Sequence, residues 1–216
     1  MMDSMSFTHL EVHSHFTLLG ATPSVPELVA RAGADGLTHL ALTDTNALYG
    51  AVAFARACRA GAIQPIIGMT VTVAAPADAV TATAAGKLVL LATDATGYRS
   101  LCRLSSLIQG SPEREALAAR GLDWDALAAQ RAGLICLSGG QEGWIARCLR
   151  AGDSRAAERY ATRLASIFGQ NLYLALELHA PAAEASADAV AALGRMLCIP
   201  NQLYCLQSSK HQAHRL

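Results

Sequence analysis

The chain predicts an α/β fold of the barrel type, and three observations carry that reading. Strand-like segments alternate with amphipathic helical segments six or more times, in roughly the length a single α/β domain needs. No strand is followed by a glycine-rich dinucleotide fingerprint, which argues against an open doubly wound sheet. The residues able to do chemistry fall at strand ends, where a barrel gathers its site.

The first strand is read at Phe7-Thr8-His9-Leu10-Glu11-Val12-His13-Ser14-His15-Phe16. Alternate side chains on a strand share a face, so Leu10 and Val12 would point one way and His9, Glu11, His13 and His15 the other. Such a face either holds a metal or consists of core and interface residues hydrogen-bonded to their neighbours. Ser24-Val25-Pro26-Glu27 has the spacing of a capping box with proline in the first turn, and predicts a helix running to Gly33–Gly36. Leu37–Asp44 reads as a buried strand, and Thr45 and Asn46 as turn and capping residues that open a helix over Leu48–Ala60. Asp44 is either a pocket carboxylate or the group that fixes this turn, with the turn preferred.

Ile63–Val73 is a β-branched strand, and Lys87–Thr93 a further one that would suit antiparallel pairing with Thr70–Val73. Asp94 caps a helix through Leu107, with Tyr98, Leu101, Leu104 and Ile108 at helical spacing. Residues 111–122 form a charged connector with a short helical piece, and Asp123 caps a helix to Gln130. Then come the strand Leu134–Ser138, a Gly139-Gly140 turn into a helix, and a long amphipathic helix capped by Asp153. The strand Leu172–Leu178, a helix from Pro181 to Leu197 and an extended piece over Ile199–Leu206 follow. Ser138-Gly139-Gly140 could hold an anion at a helix start. His179 ends a strand and is read either as a pocket group or as a hydrogen-bonded structural residue. Trp124 and Trp144 are expected in the core, and His211 and His214 in solvent. Residues 1–6 are expected to be a disordered N-terminus, 7–206 one barrel domain, and 207–216 a polar tail. That tail would look the same in a fragment and in a free-standing gene product.

Charge excludes one class of function. Lys+Arg and Asp+Glu both total 17, and six basic against seven acidic groups over 1–110 show that the balance is local too. A nucleic-acid surface needs a basic excess to neutralise phosphates, so no direct nucleic-acid binding is expected. The six cysteines form no CxxC pair and read as reduced core thiols. With no secretory leader and no apolar run long enough to span a bilayer, the expected location is the cytoplasm and no membrane partner is expected.

Three blocks carry a resemblance. They are Phe7-Thr-His-Leu-Glu-Val-His-Ser-His-Phe-Thr-Leu-Leu, then Leu40-Ala-Leu-Thr-Asp-Thr-Asn-Ala-Leu-Tyr-Gly, then Gly61-Ala-Ile-Gln-Pro-Ile-Ile-Gly-Met. Leu88–Ala92 followed by Gly97-Tyr-Arg-Ser-Leu, and Gly133-Leu-Ile-Cys-Leu-Ser-Gly-Gly, extend it. Together these resemble the PHP (polymerase and histidinol phosphatase) domain found at the N-terminus of bacterial DNA polymerase III α subunits, replicative or error-prone. The resemblance implies a distorted (β/α)₇ TIM-like barrel. In active members its pocket holds divalent metals that hydrolyse phosphoesters.

Against that pattern the ligand positions are altered. Position 11 is Glu where the motif has the first His of HxH, and His13 is kept. Gly20 stands for an Asp, Thr45 for a His after Asp44, and Thr70 for a Glu, while Asn201-Gln202-Leu203-Tyr204 lacks the Asp and His of N-D-x-H. The expectation is therefore a vestigial pocket around Glu11, His13, His15, Asp44 and His179, with no catalytic residue and no cofactor in this chain. Its partners would be the palm and thumb regions of a DNA-directed DNA polymerase, or a proofreading exonuclease subunit. The alternative is a free-standing phosphoesterase of the same superfamily with a rebuilt zinc or manganese site.

Overall fold

The computed structural model describes residues 7–75, 85–178 and 181–205. Expectations for residues 1–6, for His179 and for the tail with His211 and His214 lie outside the described residues.

Six strands form one sheet whose spatial order follows the chain: β1 His39–Leu42, β2 Gln64–Val73, β3 Gly86–Ala92, β4 Leu134–Leu137, β5 Leu172–Leu178 and β6 Asn201–Cys205. β1 and β2 are parallel, β3 runs antiparallel to both β2 and β4, and β4, β5 and β6 are parallel. The antiparallel β2–β3 pairing that would suit the connection is present. It is also what distorts the sheet away from a regular all-parallel barrel.

The long strand β2 serves two partners. Gln64 to Ile67 pair with β1, and Gly68 to Val73 pair with β3. Gly68 sits at the changeover, where an added Cβ would lie 2.7 Å from the Leu90 carbonyl oxygen and 2.8 Å from Thr43 Cγ2. Only a residue without a side chain lets the two neighbouring strands close in at that point.

Around the sheet run α1 Val25–Ala34, α2 Ala51–Ala60, α3 Ala95–Gln109, α4 Arg114–Arg120, α5 Trp124–Ala129, α6 Trp144–Arg150, α7 Ser154–Phe168 and α8 Pro181–Leu197. Their starts follow local chemistry. The Ser24 hydroxyl accepts from the Glu27 N–H while the Glu27 carboxylate accepts from the Ser24 N–H, the reciprocal box the spacing predicted. Asp94 accepts from the Thr96 and Gly97 N–H groups, and Asp153 from that of Ala156. Two caps differ from expectation. Asp123 precedes α5 without a side-chain cap bond, and α2 starts at Ala51 behind Gly50. Asn46 is instead left-handed at φ 57° and lies four residues ahead of that cap.

Strand alternation sorts the apolar side chains into two layers. Met69, Val71, Leu88, Leu90, Leu134 and Cys136 turn outward into the main core with α3 and α5–α8. There Trp124 and Tyr160 meet edge to face at 5.0 Å, and Trp144 donates its indole N–H to the Val73 carbonyl at 3.3 Å. Both tryptophans are thus core residues, as expected. On the other face, inside the curl, Ala41, Val89, Leu91 and Leu137 pack with Leu10, Ile66, Ile135 and Tyr173. A smaller cluster around the fully buried Phe54 and Cys58 ties α1 and α2 to β1. Each large side chain taken wholly out of water contributes about 1.5–3 kcal/mol. Cys58, Cys102, Cys136, Cys148 and Cys198 are free thiols, and burial pushes that of Cys58 up to about 11.

Candidate functional site

The N-terminal stretch is not the strand its alternation predicted. It lies parallel to β1 through one bridge, His9 to Leu40, with the Ala41 N–H donating to the His9 carbonyl at 3.0 Å and the Thr43 N–H to that of Val12 at 2.7 Å. Beyond Val12 the chain leaves the sheet and turns. The four predicted ligand candidates therefore do not share a face. His15 is exposed, its ring 4.3 Å from that of Phe16, and its N–H donates to the Pro23 carbonyl. The His9 ring meets Phe7 edge to face at 4.8 Å. Of the four, only Glu11 and His13 come together, with His13 Nε2 3.6 Å from Glu11 Oε1.

The cause of the turn is Asp44. This carboxylate is 2% exposed at the end of β1. Its Oδ1 accepts from the Ser14 N–H at 2.7 Å and the Thr17 hydroxyl at 2.9 Å, and its Oδ2 accepts from the Ser14 hydroxyl at 2.8 Å. A buried carboxylate without such donors would be strongly disfavoured, so the pull on residues 14–17 is large. Thr17 also accepts the Thr45 N–H at 3.1 Å, and His13 Nδ1 lies 3.3 Å from the same hydroxyl oxygen. Since the one hydroxyl proton of Thr17 goes to Asp44, Nδ1 is the donor to Thr17. Asp44 holds the 14–17 turn, whereas the sequence reading placed it on the turn that follows it.

The turn after Asp44 is held by Asn46. Its N–H donates to the Thr70 carbonyl at 2.8 Å, and its side-chain oxygen accepts the Thr72 N–H at 3.0 Å. Gln109 Nε2 donates to the Asn46 carbonyl at 2.9 Å, and the Tyr49 hydroxyl donates to Gln109 Oε1 at 3.0 Å. Thr70 has a buried hydroxyl oxygen with no hydrogen-bond partner among the described residues. The Ser138 hydroxyl accepts the Ala175 N–H at 2.9 Å, clasping β4 to β5. The Glu177 carboxylate sits where a Cβ of residue 140 would be. The Glu177 side chain thus fills the space beside Gly140.

The described residues do not fit a metal cluster. Among them no three His, Cys, Asp or Glu side chains come together to hold an ion. Three of Asp44's acceptor positions are occupied by hydroxyl and amide donors, and the Glu11–His13 pair supplies two ligands where catalytic zinc takes three. Sequence reasoning missed Ser14 and Thr17, whose roles could have been sought by asking which donors satisfy a buried Asp44.

A curled mixed sheet wrapped by helices, with its polar groups at the ends of β1 and β2, is that of a distorted TIM-like barrel. In the solved structures it resembles a protein from Bifidobacterium adolescentis assigned to the metal-dependent phosphoesterases, with TM-score 0.61 and 14% identity over 91% of this chain and 85% of that one. The chain belongs to the PHP domain family, whose pattern matches residues 9–179. It is 38% identical over 169 residues to the DNA polymerase III subunit alpha of Bacillus subtilis, covering 78% of this chain and 14% of that protein. It is also 35% identical over 212 residues to the error-prone DNA polymerase of Symbiobacterium thermophilum, covering 91% of this chain and 18% of that protein. The chain thus spans less than a fifth of the length of these curated relatives. No helix among the described residues is long and apolar enough to cross a membrane.

Proposed function

We propose that this chain is a non-catalytic PHP barrel that serves as a structural and docking domain of a DNA polymerase III α-type polymerase in the cytoplasm. The Asp44 network carries the reading. A carboxylate at the mouth of the barrel, where the family's chemistry would need an open ligand, spends its acceptor positions on Ser14 and Thr17 and so locks a turn. The similarity to α subunits and to an error-prone polymerase supports the parentage. On this reading the barrel packs against the palm and thumb of the parent subunit, or receives a proofreading exonuclease, and the DNA synthesis belongs to sequence beyond this chain.

The second reading, a metal-dependent phosphoesterase, is favoured by the Glu11–His13 pair at 3.6 Å. Elemental analysis of protein purified without chelator separates the two. The scaffold reading expects well under one zinc, manganese or iron per chain, and no hydrolysis of p-nitrophenyl phosphate or single-stranded DNA with added Mn²⁺ or Zn²⁺. Stoichiometric metal with turnover selects the phosphoesterase.

A further inference from the structure

The outer faces of α2 and α3 carry charge of one sign. α2 holds Arg56 and Arg59 and no acidic residue, and α3 holds Arg99 and Arg103 and none. All four arginines are exposed. Among the described residues no ion pair reaches them, and Arg99 alone makes a side-chain hydrogen bond, to the Thr96 hydroxyl at 3.1 Å. The Asp94 carboxylate near Arg99 is taken up by the Thr96 and Gly97 N–H groups that it caps. The two helices are neighbours. Both pack on β2, and Ile67 of that strand touches the apolar cluster beneath each. Each helix runs back along its own strand, β2 or β3, and those strands are antiparallel, so the helices are antiparallel too. The Tyr49 hydroxyl, just ahead of α2, donates to Gln109 Oε1 at the end of α3 and joins those ends. At about 1.5 Å per residue from that bond, Arg56 stands level with Arg103 roughly 10 Å along, and Arg59 with Arg99 roughly 15 Å along. Close to the bond, Val52 and Leu107 are level and are 58% and 49% exposed.

We propose that this outer face docks an acidic segment of a partner protein, with its carboxylates over the four arginines and an apolar side chain against Val52 and Leu107. Guanidinium forks without a counter-charge of their own suit carboxylates, which accept two N–H bonds at once. Exposed aliphatic groups at one end of a charged row suit an anchoring side chain, and the charges set the direction in which the segment lies. The aliphatic pair gives a nucleic-acid base no ring to stack on, and the chain as a whole has no basic excess. A second copy meeting the same face about a two-fold axis would set arginine against arginine. The inference rests on the docking reading above and names the chemistry of the partner. It uses neither Asp44 nor the Glu11–His13 pair, so bound metal or hydrolysis would defeat the non-catalytic reading and leave this face as it is.

The test is fluorescence anisotropy of a labelled alanine-based helical peptide, with four glutamates along one face and two leucines at one end, titrated with the full chain. Saturable micromolar binding is expected, weakening about tenfold as NaCl rises from about 50 to about 300 mM. The Arg56→Gln/Arg103→Gln double variant should weaken binding about tenfold and flatten its salt dependence. Val52→Ser/Leu107→Ser should weaken binding and leave the salt dependence as steep. The same peptide with glutamine for glutamate should not bind, and Arg155→Gln, on the exposed side of α7, should change nothing. Every substituted side chain is exposed, and an unchanged melting temperature confirms that each variant is folded. No saturable binding at millimolar peptide, full affinity in the arginine double variant, or tighter binding of single-stranded oligothymidylate than of the peptide overturns the proposal. So does a dimer, seen by sedimentation equilibrium, that the arginine double variant dissolves.

Discussion

Asp44 and Ser14, thirty residues apart in sequence, are joined twice, by the Ser14 N–H to Oδ1 at 2.7 Å and by the Ser14 hydroxyl to Oδ2 at 2.8 Å. With Thr17 as the third donor, this carboxylate organises the mouth of the barrel. Asp44→Ala removes the acceptor for three buried donors. A loss of roughly 3 kcal/mol is expected, since hydrogen bonds to a charged group are the strong ones and orphaned donors stay buried. Urea denaturation measures it. A variant within about 0.5 kcal/mol of the parent, the usual scatter of neutral surface changes, would show that Asp44 is not structural.

Two glycines make opposite predictions. Gly97 in α3 abuts Gly133, where an added Cβ would lie 1.9 Å from the Gly133 carbonyl oxygen, a backbone atom that cannot swing aside. Gly97→Ala should therefore cost about 2 kcal/mol or more. Gly33 in α1 has nothing within 4 Å of its Cβ position. Gly33→Ala should stabilise by about 0.4–1 kcal/mol by restricting the unfolded chain. Matched denaturation curves decide both, and a Gly97→Ala chain as stable as the parent would refute the close approach.

Asp94 gives a pH dependence of defined sign. The N–H groups of Gly97 and Thr96 hold its carboxyl below the usual carboxylate range. A depressed folded value means that the cap's contribution is present above about pH 4, the ordinary aspartate value, and is lost as pH falls through the lowered one. Asp94→Ala should melt a few degrees below the parent at pH 7. The gap should narrow on acidification towards pH 2–3. Thermal melts across that range check it, and a gap that widens towards acid would contradict the capping role.

Chelation should leave the fold alone. A ligand that binds only the native state raises the melting temperature by mass action. Without a bound ion, excess EDTA should shift the melt by less than about 1 °C, well inside the change that 1 kcal/mol produces. A drop of several degrees, restored by Zn²⁺ or Mn²⁺, would point to an ion held by this barrel and against the scaffold reading.

Much of the fold was legible because its signals are local. The Ser24–Glu27 box, the caps at Asp94 and Asp153 and the β-branched run over Ile63–Val73 each depend on groups a few residues apart. The stretch 7–16 was misread because alternation states only what a strand would do if it formed. Whether residues 13–16 stay in the sheet depends on Asp44, which competes for them with three hydrogen bonds. Asn46 reads as a helix cap in the sequence for the same reason, since its partners Thr72 and Gln109 lie far along the chain.

The sequence by itself determined the alternation of strands and helices and the family, because residue identity and short-range spacing suffice for each. The tertiary structure alone decided that Glu11 meets His13 while His15 faces solvent, that Asp44 serves a turn, and that α2 and α3 meet through Tyr49 and Gln109. Those outcomes rest on competition for buried donors and on the meeting of distant segments. Neither is fixed until the sheet has curled and the helices have closed around it.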